Sequence, residues 1–408
     1  MTLGTVVVGA GQSGLNVAIR LRALGYDKPI TLIGEEAHLP YQRPPLSKKF
    51  LAGELDAKSL LLRPADFYQD QRIDLKIGMR GTAIDTRERR IDLSDGSALA
   101  YEDLVLATGT RARELPLALT AGLRGVHVLR GADHALALQR ALAAGRNLVV
   151  VGGGFVGLEV AATVRQAGMN VTVLEQAPRI LQRVAGAEVS QRLRALHQAH
   201  GVRILEQHQL ASLRGQGGQV HEVVLADGQV LPADVVLVGI GALPNVELAQ
   251  AGGLAVQDGI VVDQHGQTTV PGVYACGDCA RFPWGEASIR LESVHNAMAQ
   301  GDCVAQAIVG RAVPYAPVPW FWSDQYDCKL QMVGLSTGHD AVVVRDAGPR
   351  PTQGASVWYF KASHLLAVEA LHDAAAFAHG RRWLEQKKSP RPEDLASPTL
   401  PLKDLSLH

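Results

Sequence analysis

The chain has 408 residues and carries 40 Lys+Arg against 40 Asp+Glu. This balance excludes a strongly basic nucleic-acid binder and gives no hint of an anionic membrane as partner. The length allows two or three domains with real cores, and four cysteines are too few for a disulfide framework. No uninterrupted apolar run reaches the roughly 18 residues needed to span a bilayer. The N-terminus runs straight into a strand and leaves no room for a signal peptide. A cytoplasmic protein is expected.

In chain order, Thr5-Val-Val-Val8 reads as a buried parallel strand. Gly9-Ala-Gly11-Gln-Ser13-Gly14 then gives a G-x-G-x-x-G loop, with Leu15, Ala18, Ile19 and Leu21 as the apolar stripe of a following helix. In such a loop the first glycine permits a tight turn and the second lets backbone approach a pyrophosphate. The third lets helix and strand pack closely, while the helix N-terminus faces the anion. Pro29-Ile-Thr-Leu-Ile33 is the next strand, and Glu35 just beyond it is the candidate ribose ligand. Leu93-Ser-Asp95-Gly96 is a hairpin turn signal, followed by the strand from Asp103 and a break at Thr108-Gly109.

The same order then recurs. Val149–Val151 leads into Gly152-Gly-Gly154-Phe-Val156-Gly157-Leu-Glu159, and Val171–Leu174 ends on Glu175. Leu225-Ala-Asp227-Gly228 repeats the turn, and Asp234–Val238 repeats the strand before Gly239-Ile-Gly241. The fold class is therefore α/β, with two Rossmann-like dinucleotide-binding domains and a C-terminal α+β domain. Glu175 accepts hydrogen bonds from a ribose diol and repels a 2′-phosphate, so NADH is expected over NADPH; Arg179 is the nearest cation in sequence. A helix is predicted over Ala187–His200 from Val189, Leu193 and Leu196, with His197 and His200 as polar residues of its surface. The histidines form no credible metal set.

Two glycine loops, Ala107-Thr-Gly109 and Val273-Tyr-Ala-Cys-Gly277-Asp278 together resemble the two-dinucleotide flavoprotein reductases of the glutathione-reductase-like fold. The resemblance implies FAD in the first loop, NAD(H) in the second, and a carboxylate of Asp278 on the flavin's ribityl chain. It implies a discontinuous FAD domain (1–113 and 240–316), an NAD domain (114–239) and a C-terminal interface domain (317–408). Disulfide reductases of this fold carry a redox cysteine pair, in many of them just after the first nucleotide unit. Here Tyr41-Gln-Arg43-Pro-Pro-Leu-Ser47-Lys48 stands there instead. Cys276 and Cys279 form a C-x-x-C, but they straddle the glycine and aspartate assigned to FAD and are expected to be buried and inert. Cys303 and Cys328 are expected in the core.

The Arg-Pro-Pro-Leu-Ser-Lys run is similar to that of the ferredoxin, putidaredoxin and rubredoxin reductases. That group implies Lys48 at the flavin's reactive edge, paired with Glu159. It implies Gly9, Gly11, Ser13, Gly14, Glu35, Arg43, Lys48, Ala83, Thr108, Gly109, Arg130, Asp278 and Val294 for FAD. For NAD it implies Gly152, Gly154, Val156, Gly157, Glu159, Glu175 and Gly241. The aromatic run Trp320-Phe-Trp322-Ser-Asp-Gln-Tyr326 is either domain-interface core or places one of Trp320 and Trp322 over the flavin on the electron path. The activity implied is transfer of electrons from NADH through FAD, singly, to a 2Fe–2S ferredoxin that serves a bacterial haem-thiolate mono-oxygenase. A Rieske ring-hydroxylating dioxygenase is the alternative user of those electrons. A small-molecule reductase and an NADH-sensing flavoprotein resembling the apoptosis-inducing factors also stay open. The resemblance is loosest around Leu366–His372.

Overall fold

A computed structural model describes residues 3–346, 354–397 and 400–408. The described chain forms two compact units. One comprises residues up to Gln42, Ala57–Arg111 and Ala242–Pro317; the other comprises Arg43–Asp56, Ala112–Gly241 and the chain from Val318 onward. The Pro-rich C-terminal stretch is predicted to wrap the surface, but its Pro398-Thr399 step lies outside the described residues.

In the first unit, five strands form a sheet in the order Val273–Ala275, Asp103–Leu106, Thr5–Val8, Ile30–Gly34 and Ile73–Ile77, all parallel. Every residue of Thr5–Val8 is buried, as an apolar run covered on both faces requires. Alternation divides that run between two cores. Val7 joins Leu15, Ala18 and Leu21 of the Gln12–Ala23 helix, together with Val304 of the Val294–Ile308 helix. Val6 and Val8 join Ile84 and Ile91 of an antiparallel hairpin sheet.

The second unit repeats the plan with Arg203–Glu206, Asn170–Glu175, Asn147–Val151, Val235–Val238 and Val126–Val128. The repeats differ in the origin of the fifth strand. In the first unit it follows the rest of the sheet in the chain, at Val273–Ala275; in the second it precedes them, at Val126–Val128. Both hairpin turns form where the sequence places them. Asp95 accepts from Ser97 N and Asp227 from Gln229 N, each at 2.9 Å, with Gly96 and Gly228 in the left-handed region.

The second unit also holds a five-stranded antiparallel sheet, ordered Trp320–Gln325, Cys328–Gly334, His364–Leu371, Ala355–Lys361 and Ala341–Asp346. The helix Ala374–Glu385 begins at the cap Asp373, which accepts from Ala376 N at 2.9 Å. Glu369 ties this sheet to the dinucleotide half of the same unit. Its buried carboxylate accepts from Gly186 N at 3.0 Å and from Tyr359 Oη at 2.8 Å. Among the described residues, no helix is long and apolar enough to cross a membrane.

Candidate active site

Both glycine loops have the geometry of a phosphate cradle. Gly9 and Gly152 turn the chain at φ of 115° and 108°. A Cβ at Gly14 would lie 1.9 Å from Gly9 O, and one at Gly157 would lie 2.5 Å from Gly152 O. These third glycines are where helix meets strand. A Cβ at Gly11 would meet nothing within 4 Å, and one at Gly154 only Gly239 O at 3.9 Å. The second glycines therefore face open space. Each also N-caps its helix with no side-chain cap, leaving the first-turn N–H groups and the positive end of the dipole to an anion. Val156, in the first turn of the second of these helices, is 44% exposed. The residues present fit a dinucleotide at each loop.

The two ribose candidates do not hold equivalent positions. Gly9 N donates to Ile33 O and Gly152 N to Leu174 O, which aligns Gly34, not Glu35, with Glu175. Packing explains the offset. A Cβ at Gly34 would come within 2.8 Å of Ala10 Cβ, so the strand must be small there. The second loop has Gly153 where the first has Ala10, and Glu175 occupies the space. Its carboxylate accepts from Gly153 N at 2.8 Å and from Ala177 N at 2.7 Å. Glu35 is exposed, 3.9 Å from the Arg80 guanidinium.

Around the first loop, Ser13 is buried against the Gly277–Cys279 turn, where a Cβ at Gly277 would lie 2.9 Å from Ser13 Cβ. Gln300 Oε1 accepts from Gly277 N at 2.7 Å, and Arg290 donates to the Asp278 carbonyl at 3.1 Å. These bonds fix the backbone that carries the half-buried Asp278. Thr108 exchanges hydrogen bonds with Asn245, its Oγ1 donating to Asn245 O at 2.6 Å and its carbonyl accepting from Asn245 Nδ2 at 2.9 Å. Gly109 beside it has φ 63°. Val294 opens its helix behind the cap Ser293, whose Oγ accepts from Asn296 N at 3.1 Å. Ala83 is exposed at a bulge in its strand. Three residues assigned to FAD lie in the second unit, namely Arg43, Lys48 and Arg130. Arg43 Nη1 donates to Arg130 O at 2.9 Å.

A buried polar cluster of the second unit surrounds Glu159, on the helix Phe155–Gln166. Lys48 Nζ lies 2.7 Å from its Oε2, with the two side chains only 19% and 6% exposed. Ser47 Oγ donates to the same oxygen at 2.5 Å, and Ser323 Oγ donates to Oε1 at 2.7 Å. These donors satisfy polar oxygens that burial takes out of reach of water. Lys48 Nζ also donates to Pro44 O at 3.2 Å, and Thr163 fastens the segment by donating to Ser47 O at 3.0 Å. Sequence reasoning found the Lys48–Glu159 pair but neither serine.

His197 is not a surface residue. It is fully buried, and burial pushes its imidazole down to about 4. Its position four after Leu193 continues the apolar stripe, and that spacing was the available signal. His200 is exposed, as expected, and stacks on Tyr326 at 3.7 Å. Arg179 turns to the chain just after it, donating to Ala185 O at 2.9 Å and to Ser190 of the next helix. The cation at the second cradle is instead the exposed Arg183, whose Nη2 lies 3.3 Å from where a Cβ on Gly241 would be. All four cysteines are buried and free. Burial pushes the Cys276 and Cys328 thiols up to about 12 and Cys303 to about 11, and Cys279 is raised as well.

The strand Trp320–Gln325 sorts its residues by face. Phe321 packs tilted against Phe155, ring centroids 4.6 Å apart, and Ser323 and Gln325 point the same way. Trp320 and Trp322 take the other face, 5.5 Å apart. Trp320 also meets Phe377 edge-on at 5.8 Å and packs on the core of Trp358 and Trp383.

Comparison with known proteins agrees with this geometry. Residues 4–301 match the pyridine nucleotide-disulphide oxidoreductase family, and 320–406 match the reductase C-terminal family, so the stretch around Leu366–His372 belongs to the likeness. The chain is 42% identical over 406 residues to putidaredoxin reductase of Pseudomonas putida, covering 98% of this chain and 96% of that one. It is 38% identical over 403 residues to the ferredoxin–NAD(+) reductase component of the p-cumate 2,3-dioxygenase system of Pseudomonas putida, covering 98% of each. The crystal structure of a covalent putidaredoxin reductase–putidaredoxin complex superposes with TM-score 0.95 at 40% identity, over 99% of this chain and 98% of that one. A repeated dinucleotide fold, two glycine cradles and a match along nearly the whole chain lead to one conclusion. The protein belongs to the pyridine nucleotide-disulphide oxidoreductase family, as a putidaredoxin-reductase-like flavoprotein reductase that uses FAD and NAD(H).

Proposed function

We propose that this protein oxidises NADH and passes the electrons singly to a 2Fe–2S ferredoxin serving a haem-thiolate mono-oxygenase. The observation that carries this reading is the pairing of two dinucleotide cradles with thiols that are all buried and held protonated. Thiols buried in this way are poorly suited to disulfide exchange, which favours an electron acceptor outside the chain. The bound flavin supplies two-electron acceptance and one-electron release.

The chain's own residues bind and orient. Gly9, Gly11, Ser13, Gly14, Glu35, Ala83, Thr108, Gly109, Asp278 and Val294 hold FAD with Arg43 and Arg130. Gly152, Gly154, Val156, Gly157, Glu175 and Gly241 hold NADH. Lys48, fixed by Glu159, stabilises negative charge on the reduced ring. On this reading 1–113 and 240–316 serve as the FAD domain, 114–239 as the NAD domain and 317–408 as the interface for the acceptor.

Glu175 is expected to select NADH both by charge and by bracing its loop. Glu175→Ala should raise KM for NADH about tenfold and narrow the preference over NADPH, with FAD content unchanged. Steady-state kinetics with both coenzymes checks this, and an unaltered preference would remove Glu175 from the site.

Between the tryptophans, the packing of Trp320 on Phe377 and the C-terminal core favours a structural role. Trp322 is assigned to the electron path. Trp322→Ala should slow ferredoxin reduction at least tenfold more than ferricyanide reduction, whereas Trp320→Ala should chiefly lower Tm. Equal losses with both acceptors for Trp322→Ala would return it to the core. The likeness to a dioxygenase-system reductase favours a Rieske oxygenase as the second reading for the final electron user. Kd values of the protein for ferredoxins from the two kinds of system decide between them.

A further inference from the structure

The hydrogen bonds around Glu159 extend beyond the lysine pair into a buried chain with a single direction. A carboxylate paired with Lys48 can only accept, so the Ser323 hydroxyl hydrogen is committed to Glu159 Oε1 at 2.7 Å. Ser323 Oγ in turn accepts from Gln325 Nε2 at 3.1 Å. That turns Gln325 Oε1 toward His197 Nε2 at 2.8 Å, and this nitrogen must then carry the hydrogen. Nδ1 is left as the acceptor, facing Tyr326 Oη at 3.4 Å. Burial keeps His197 neutral, and the Gln325 contact selects that tautomer. Every donor from Tyr326 to Ser323 points toward Glu159, and Ser323, Gln325 and His197 are all buried. Aligned dipoles in a low-dielectric interior polarise one another, so the final bond is stronger than an isolated one.

We propose that Ser323, the last link of this chain, is a positioning residue that holds the Glu159 carboxylate and through it sets where the Lys48 ammonium sits. Ser47 and Lys48 both engage Oε2, and Ser323 alone of these three engages Oε1. Without it the carboxylate is free to rotate about its last torsion and carry the ammonium with it. The C-terminal sheet thereby contributes a serine and a glutamine to the lysine's placement, with the histidine behind them coming from the Ala187–Ala199 helix. This inference rests on the reading that Lys48 acts at the flavin.

The test is potentiometry of the bound FAD in the purified holoenzyme, with Ser323→Ala, Ser323→Thr, Gln325→Met and Lys48→Met compared. Lys48→Met should disfavour the reduced flavin at least tenfold, a potential about 30 mV more negative for a two-electron couple. Ser323→Ala should move it the same way by at least threefold, Gln325→Met by less, and Ser323→Thr should restore the parent value. The rate of flavin bleaching at saturating NADH should fall with the potential while Kd for NADH holds. If Lys48→Met shifts the potential and neither Ser323→Ala nor Gln325→Met does, the positioning role is wrong and the lysine reading stands. If Lys48→Met leaves the potential unmoved, both fall together. Should Ser323→Ala fail to retain FAD, Gln325→Met decides alone.

Discussion

Glu159→Ala is expected to destabilise the protein by about 3–5 kcal/mol, the cost of leaving one member of a buried ion pair without its partner. Three groups lose their acceptor at once: the Lys48 ammonium, the Ser47 hydroxyl and the Ser323 hydroxyl. Lys48 is mostly buried, so water replaces little of what is removed. For a unit of this size each kcal/mol moves Tm by roughly 2–4 °C, which predicts a fall of about 10 °C. The rate of flavin reduction should fall at the same time, because an ammonium without its anchor no longer holds one position.

Stability and rate separate in the double variant Lys48→Met with Glu159→Gln. Replacing both charges removes the uncompensated ion, and well-packed neutral replacements of buried pairs are often no less stable. Tm should therefore recover most of its loss while flavin reduction stays slow. A Glu159→Ala protein that melts like the parent would mean that the pair contributes little to holding Arg43–Asp56 in its unit.

The third glycines offer the sharpest separation of the two cradles. Gly14→Ala places a Cβ 1.9 Å from Gly9 O, and Gly157→Ala places one 2.5 Å from Gly152 O. Both obstacles are backbone within the loop itself, so the helix must move away from its strand and its N-terminus leaves the phosphates. Gly14→Ala should yield protein largely without FAD. Gly157→Ala should stay yellow but bind NADH at least a hundredfold more weakly, with dithionite still bleaching the flavin. Flavin absorbance per chain and NADH titration read the two effects. Loss of FAD from Gly157→Ala with Gly14→Ala still loaded would reverse the assignment of the loops.

What the sequence made legible were the features that are local in the chain. The glycine loops, the turns at Asp95-Gly96 and Asp227-Gly228, and the parallel strands Thr5–Val8 and Asn147–Val151 each follow from neighbouring residues. Lys48 and Glu159 came through a family motif on each side of a long separation. The surroundings of Glu159 were hidden because their partners are distant in sequence: Ser47 lies 112 positions away and Ser323 lies 164 away. A serine carries no signal of its own until the fold supplies its partner. His197 differs in kind: its residue type suggests surface, and only its place on the apolar stripe marks it as buried. The one-residue offset between Glu35 and Glu175 depends on the exchange of Ala10 for Gly153, a steric detail that only packing exposes.

Electron delivery to a ferredoxin is tested by NADH-driven reduction of cytochrome c by the purified holoenzyme, with and without a bacterial 2Fe–2S ferredoxin. Reduction should be slow without the ferredoxin, and the rate should rise at least tenfold and saturate as ferredoxin is added. Rapid bleaching of the flavin by NADH, followed by slow turnover with every protein acceptor, would contradict it and point to a small-molecule reductase or an NADH sensor.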